Sequence, residues 1–164
     1  MARKSAVLIP AIIAAVAVGG LGVAFIPADL VGPERTELTK GTVRLDDAVI
    51  TVEVADTAAE RQRWLTFRQD PLPMDTALLL KYDAPDLHEV WMLNIEYNLD
   101  LVWINQDGKV VYVIEDAAPC QSLVETVSCT YKTTSKSLYV MAATAGFADA
   151  HGVTTDSSMT IISV

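Results

Sequence analysis

The stretch Leu99-Asp-Leu-Val-Trp-Ile104 (LDLVWI) decides how the folded part of this chain is interpreted. Both alternating sets of residues are apolar apart from Asp100, so neither side of a strand at this position would face water. A strand that is apolar on both sides belongs in the centre of a sheet whose two faces are both covered. The sequence therefore predicts a buried central strand that contains one unusual carboxylate.

Shorter strand-like runs lie on both sides of this central strand. Ala48–Val54 places apolar residues at every second position, which is the period of a half-buried strand. Asn105-Gln-Asp-Gly108 follows the central strand directly and is typical of a hairpin turn. The further β-like runs are Ala77–Tyr82, His88–Leu93, Lys109–Ile114, Leu138–Ala142 and Met159–Val164.

Only two short helical segments interrupt these runs. Thr57-Ala-Ala-Glu60 is a capping-box sequence, in which the threonine hydroxyl and the glutamate carboxylate each accept a backbone amide of the other residue. It predicts a helix over about residues 58–67, ended by Pro71 and Pro73, and Ala145–His151 predicts one more helical turn. Many short strands with brief helices favour a compact, mainly β domain, sandwich-like or barrel-like, over a βαβ fold.

The first residues of the chain indicate where the protein is located. Residues 1–5 are short and basic, and Ala6–Ile26 then runs without a charged side chain. A helix over this stretch would be about 31 Å long, close to the thickness of the hydrocarbon layer of a membrane. Because Arg3 and Lys4 precede it, we expect an uncleaved single-pass transmembrane helix with its N-terminus in the cytoplasm. A cleaved signal peptide and a buried helix of a soluble protein are the alternatives.

The rest of the chain divides into a linker and one domain. Residues 27–41 contain prolines, glycines and polar residues without a clear period, which is typical of a linker. Residues 42–164 then form the predicted extracytoplasmic β-rich domain. Hydrophobic residues make up 51% of the 164-residue chain, which excludes a disordered protein, and the net charge of -9 argues against nucleic-acid binding.

Cys120 and Cys129 are the only cysteines of the chain. Their spacing is too wide for a CxxC redox pair, and no histidine stands close in sequence to complete a zinc site. An extracytoplasmic domain permits a disulfide, and closing so short a loop would stabilise the fold by about 2–3 kcal/mol. We expect a structural disulfide, with free thiols or a metal or redox role as alternatives, and we expect no metal and no cofactor.

Asp100 is the starting point for a candidate site. A buried carboxylate is costly without partners, and we expect them among Arg61, Arg63 and Arg68 of the short helix or in the amide of Asn94. One interpretation is structural, with the ion pair tying the helix to the sheet. The other is a ligand-binding cleft. We expect Trp91 and Trp103 to be core residues, with binding surfaces of such a cleft as the alternative. The residues of this cleft are Arg61, Arg68, Trp91, Asn94 and Asp100.

Several short motifs between about residues 49 and 159 occur in a fixed order. They are Glu60-Arg61 with Leu65 and Arg68, Leu78–Tyr82, Trp91-Met92-x-Asn94, Leu99-Asp100, Asp107-Gly108, Val110-Val111, Pro119-Cys120, Cys129-x-Tyr131, Tyr139-Val140 and Ala145-Gly146. This set resembles the domain-of-unknown-function family 192, a family of small bacterial and archaeal domains. The resemblance implies a compact, mostly β fold and no established reaction. Leu93 stands where the family pattern usually has a lysine, so this member lacks a cation there.

Three functional hypotheses follow from these patterns. The first is a membrane-anchored extracytoplasmic accessory or binding domain, a non-catalytic subunit of a membrane complex whose anchor packs on other subunits through Gly19, Gly20 and Gly22. The second is a small-solute-binding domain that uses the cleft described above. The third, and the least favoured, is a hydrolase that uses Asp100. The expected partners are the membrane and other membrane-protein subunits, and not nucleic acid.

Overall fold

The computed structural model describes residues 37–66, 68–120, 122 and 128–164. The predicted anchor Ala6–Ile26 and residues 27–36 of the predicted linker lie outside this part of the chain. No helix within the described part is long and apolar enough to cross a membrane. The elements in chain order are β1 (Thr39–Leu45), β2 (Ala48–Ala55), α1 (Ala58–Arg63), β3 (Thr76–Asp86), β4 (Glu89–Trp91), β5 (Leu99–Ile104), β6 (Val110–Ala117), β7 (Thr130–Lys132), β8 (Ser137–Thr144), α2 (Phe147–His151) and β9 (Met159–Ser163).

Seven of these strands form one sheet in the order β6-β5-β8-β3-β2-β1-β9, while β4 and β7 pair separately. The predicted central strand is confirmed, because β5 lies between β6 and β8 and all six of its residues are buried. Consecutive residues of β5 contribute to different apolar clusters on the two faces of the sheet. Val102 packs in a cluster with Phe147 of α2, and Leu101 packs in a cluster with Leu65 and Met92. The mainly β composition with two short helices is also confirmed.

The β2–β3 pair is parallel, and α1 lies in the connection between the two strands. The sequence did not predict this single parallel crossover, whose helix has only six residues, although the domain as a whole is mainly β and not a βαβ fold. The helix begins with the predicted capping box: the Glu60 amide donates to the Thr57 hydroxyl at 3.2 Å, and the Thr57 amide donates to the Glu60 carboxylate at 3.0 Å. It ends earlier than predicted because the backbone of Trp64 leaves the helical region (φ 13°, ψ -108°).

The large sheet is open, although its two edge strands approach each other at one point. An isolated antiparallel bridge joins Lys109 to Ser158, and the Met159 amide donates to the Gly108 carbonyl at 2.7 Å. Gly108 has a φ of 78°, and a Cβ at this residue would lie 2.3 Å from the Met159 carbonyl oxygen, so a side chain cannot fit. We call this contact the seam. The expected sandwich or barrel is thus replaced by an open sheet whose edges, among the residues that the structure describes, meet at the seam.

Strands β1 and β7 have no counterpart in the prediction from sequence. β1 begins at Thr39, inside the predicted linker, and its alternation of polar residues with Val43 and Leu45 is interrupted by Gly41. β7 has three residues, none of them buried, and within the described part of the chain it pairs with β4 alone. Both strands depend on their neighbours more than on their own apolar pattern, which is why a periodicity argument does not find them.

Candidate functional site

A groove with a volume of about 610 Å³ opens beside α1. Residues from α1 and the turn that follows it, from β3, and from β4 with the segment after it line this groove. The side chains that matter for its chemistry are Arg61, Trp64, Tyr82, Glu89, Trp91 and Asn94. Three of the five predicted cleft residues thus come together here, while Arg68 and Asp100 do not line the groove.

Arg61 is a fixed cation in the wall of the groove. Its guanidinium donates to the carbonyl oxygen of Asp56 and, at 2.7 Å, to that of Lys81. The same group lies 3.8 Å from the Asp83 carboxylate and 5.0 Å from the centre of the Tyr82 ring. Only 15% of the side chain is exposed. Arg61 therefore joins α1 to β3, and most of its hydrogen-bonding capacity is already in use.

Tyr82 is also engaged by its neighbours. The His88 ring stacks on it with the ring centres 3.5 Å apart and the planes within 9° of each other. His88 in turn forms a 3.1 Å hydrogen bond with the Ala84 carbonyl oxygen. Burial raises the pKa of Tyr82, and the nearby Arg61 charge only partly opposes this effect. Tyr82 is consequently an uncharged part of the wall that is held in place by His88 and Arg61.

Trp91 supplies an exposed aromatic surface. Residues alternate in orientation along a strand, and in β4 Glu89 and Trp91 are exposed whereas Val90 is buried. The Trp91 residue is 44% exposed. Trp103, by contrast, is completely buried and donates its indole N–H to the His88 carbonyl oxygen at 2.9 Å. The core interpretation is therefore correct for Trp103 and wrong for Trp91.

The predicted disulfide is present and supports the same wall of the groove. Cys120 and Cys129 are bonded, with an S–S distance of 2.04 Å. The buried residue Met92 lies between their backbones: its amide donates to the Cys129 carbonyl at 3.0 Å, and its carbonyl accepts from the Cys120 amide at 3.1 Å. The disulfide therefore fixes the segment between Trp91 and Asn94. Asn94 itself is exposed and has a left-handed backbone (φ 57°).

Asp100 has a structural position inside the domain. It is fully buried, and its two carboxylate oxygens accept the backbone amides of Asp116 at 2.9 Å and Ala148 at 2.8 Å. Ala148 lies in the first turn of α2, where Gly146 at the N-cap has no side chain to accept an amide. The prediction that an arginine or Asn94 is the partner of Asp100 was therefore wrong. Two backbone amides donate hydrogen bonds to the carboxylate instead.

Arg68 also has a structural partner. Its guanidinium donates to both carboxylate oxygens of Glu53, at 3.1 and 3.0 Å, and connects the chain after α1 to β2. The nearby Tyr97 hydroxyl is buried and has no hydrogen-bond partner within the described part of the chain. Burial raises the pKa of Tyr97, with the Arg68 charge acting against it. The Arg68–Glu53 ion pair therefore stabilises the domain and lies outside the groove.

Reasoning from the sequence missed Trp64, Tyr82 and Glu89. A signal for Trp64 was available, because it follows Arg61 at a spacing of three residues and residues so spaced lie on one side of a helical turn. No such local signal exists for Tyr82 or Glu89, whose positions depend on how β3 and β4 meet α1. Among the residues that the structure describes, no three His, Cys, Asp or Glu side chains form a cluster that would hold a metal ion.

Comparison with known proteins identifies a family and a shared fold. One similar crystal structure is a Sinorhizobium meliloti 1021 protein named "putative transcription regulator" (24% identity, 76% of this chain and 95% of that one, TM-score 0.68). Another is a protein of unknown function from Novosphingobium aromaticivorans DSM 12444 (21% identity, 77% and 89%, TM-score 0.68). No curated protein matches this chain. The model of the DUF192 family ("Uncharacterized ACR") matches residues 41–161, and the chain therefore belongs to the DUF192 family.

Proposed function

We propose that this protein is an extracytoplasmic binding domain, held at the membrane by its N-terminal segment, and that the groove beside α1 binds a small solute. The observation that carries the proposal is the meeting of Trp64, Trp91, Asn94 and the fixed Arg61 guanidinium in one concave surface. Pockets of this size, with aromatic walls and a few polar groups, are the usual binding sites of small ligands.

Binding is favoured over hydrolysis by the position of Asp100. Both of its oxygens accept backbone amides, and its side chain is fully buried and does not line the groove. A general acid or base must come within hydrogen-bonding distance of the reacting group, or reach it through one water. The hydrolase hypothesis based on Asp100 therefore has no geometric support.

A thermal-shift screen with a library of small solutes tests the groove. We expect at least one solute, at about a hundred times its Kd, to raise the melting temperature of the full-length protein by about 5–10 °C. The Trp91→Ala variant should not respond to that solute. Tyr112→Ala is the matched control, because Tyr112 is also an exposed aromatic residue (42%) but does not line the groove. A melting temperature unchanged by every solute would count against the groove as a binding site.

The proposed location rests on two features of the chain. Ala6–Ile26 is long and apolar enough for a transmembrane helix, and Arg3 and Lys4 favour a cytoplasmic N-terminus. The Cys120–Cys129 disulfide supports an oxidising compartment for the folded domain, because such bonds are rare in the cytosol. The same proposal makes the protein a non-catalytic subunit of a membrane complex, because Gly19, Gly20 and Gly22 would allow its N-terminal helix to pack closely against other membrane helices.

Fractionation of cells that produce the full chain tests this location. We expect the protein to stay in the membrane pellet after alkaline carbonate treatment, with the intact mass of the uncleaved chain. Protease added to spheroplasts should digest the folded domain, and partner subunits should copurify in mild detergent. Release by carbonate would overturn the anchor, protection from protease would overturn the orientation, and a lone monodisperse monomer would overturn the subunit role.

A further inference from the structure

The charges around the groove disfavour ligands of either sign. Arg61 and Arg63 line the groove together with Glu89, so a cationic ligand would meet two guanidinium groups and one carboxylate. An anionic ligand would approach a chain of net charge -9, whose long-range field opposes it. Arg61 could offer an anion little, because its guanidinium already donates to two backbone carbonyls and lies near Asp83. Arg63 also lines the groove but is exposed, and an ion pair at an exposed site contributes only about 0–1 kcal/mol. Charge thus points to a neutral ligand.

The uncharged surfaces of the groove indicate what such a ligand carries. Tyr82 is in contact with the His88 ring and the Arg61 guanidinium, so Trp64 and Trp91 are the aromatic surfaces left for a ligand. Indole rings pack well against flat apolar groups. Gln62 and Asn94 add exposed amides, and Glu89 adds an acceptor on the same side of β4 as Trp91. Amides and carboxylates of this kind bind hydroxyl groups.

We infer that the groove binds a neutral saccharide. This inference rests on the proposed function and names its ligand class. A pyranose ring has an apolar face of C–H groups, which fits an exposed indole, and a rim of hydroxyls, which fits the side chains of Gln62, Glu89 and Asn94. The same ring carries no charge, in agreement with the mixed charges of the groove. Binding is non-covalent and requires no cofactor.

Titration calorimetry with defined probes tests this inference on the full-length protein in detergent. The neutral probes are maltohexaose, cellohexaose and chitohexaose. Benzoate and benzyltrimethylammonium present an aromatic face with a negative or a positive charge, and a proline decapeptide presents a flat apolar surface on a polypeptide. We expect one hexasaccharide to bind while the other three probe types do not. Trp91→Ala should weaken that binding about tenfold or more, because the sugar no longer covers an indole face.

Two controls separate the possible outcomes. Tyr112→Ala should bind the hexasaccharide like the wild type. Gln62→Ala removes an exposed amide of the groove from a helical position that alanine tolerates, so it should weaken binding without changing the melting temperature of the free protein. If benzoate, the ammonium probe or the peptide binds in a Trp91-dependent manner and no saccharide does, the saccharide class is wrong while the groove remains a binding site. If no probe binds, the saccharide inference is overturned, and the solute screen decides separately on the groove.

Discussion

Replacing Asp100 with alanine is expected to destabilise the domain by about 3–5 kcal/mol, a large part of the stability of an ordinary domain. The change leaves the amides of Asp116 and Ala148 without their acceptor, the Ala148 amide in a buried position and the Asp116 amide in a partly buried one. Each buried donor that loses its partner costs about 1–3 kcal/mol, and the missing carboxylate also leaves a cavity. Because the two amides belong to β6 and α2, both elements should loosen together.

Urea unfolding followed by circular dichroism measures this effect. Asp100→Asn should lose about 2 kcal/mol, since its one amide oxygen can still accept one of the two backbone N–H groups. Asp83→Ala is the control, because the Asp83 side chain is 93% exposed and its loss should change stability by no more than about 0.5 kcal/mol. An Asp100→Ala protein as stable as the Asp83 variant would show that the carboxylate does not organise the fold.

Removing the disulfide is expected to have the second largest effect. In the chain-entropy account, the Cys120→Ala/Cys129→Ala double variant should lose about 2–3 kcal/mol, because the unfolded chain is no longer closed into a short loop. The loss should be concentrated around Met92, whose amide and carbonyl are bonded to the two cysteine backbones. Trp91 and Asn94, on either side of Met92, should therefore become more mobile than the large sheet.

Two measurements separate the local effect from the global one. Urea unfolding gives the total loss, and a thiol reductant should lower the stability of the wild type to that of the double variant without affecting the variant. Hydrogen exchange gives the local effect, with faster exchange expected at the Met92 amide than at amides of β8, which serves as the internal reference. Equal stability of oxidised and reduced wild type would contradict the prediction.

The fold could be predicted where a single segment carries its own pattern. Leu99–Ile104 is apolar on both sides, so its central place in the sheet follows from the sequence, and the Thr57–Glu60 capping box marks the helix start. The parallel pairing of β2 with β3 could not be predicted, because it depends on the strand to which the chain returns after α1. β7 was missed for a similar reason, since it exists only as the partner of β4.

The candidate site was predictable only in part. Arg61, Trp91 and Asn94 of the predicted cleft line one groove, together with Trp64 and Tyr82, which the prediction did not include. Arg68 was assigned to the same helix as Arg61, but α1 ends at Arg63, so the two side chains point to different partners. The sequence also cannot reveal that backbone amides satisfy Asp100, because main-chain donors have no signature of their own.

The seam at Gly108 has a consequence for solubility. The free edges of a sheet can pair with strands of other molecules, and proteins that leave long edges open tend to form fibrils. Here the Gly108 carbonyl, just before β6, accepts the Met159 amide of the same molecule, so it is not available as an acceptor for a foreign strand. Any larger residue at 108 would push the two edges apart and expose both. The absence of a side chain at Gly108 therefore keeps this short piece of backbone hydrogen-bonded within its own molecule.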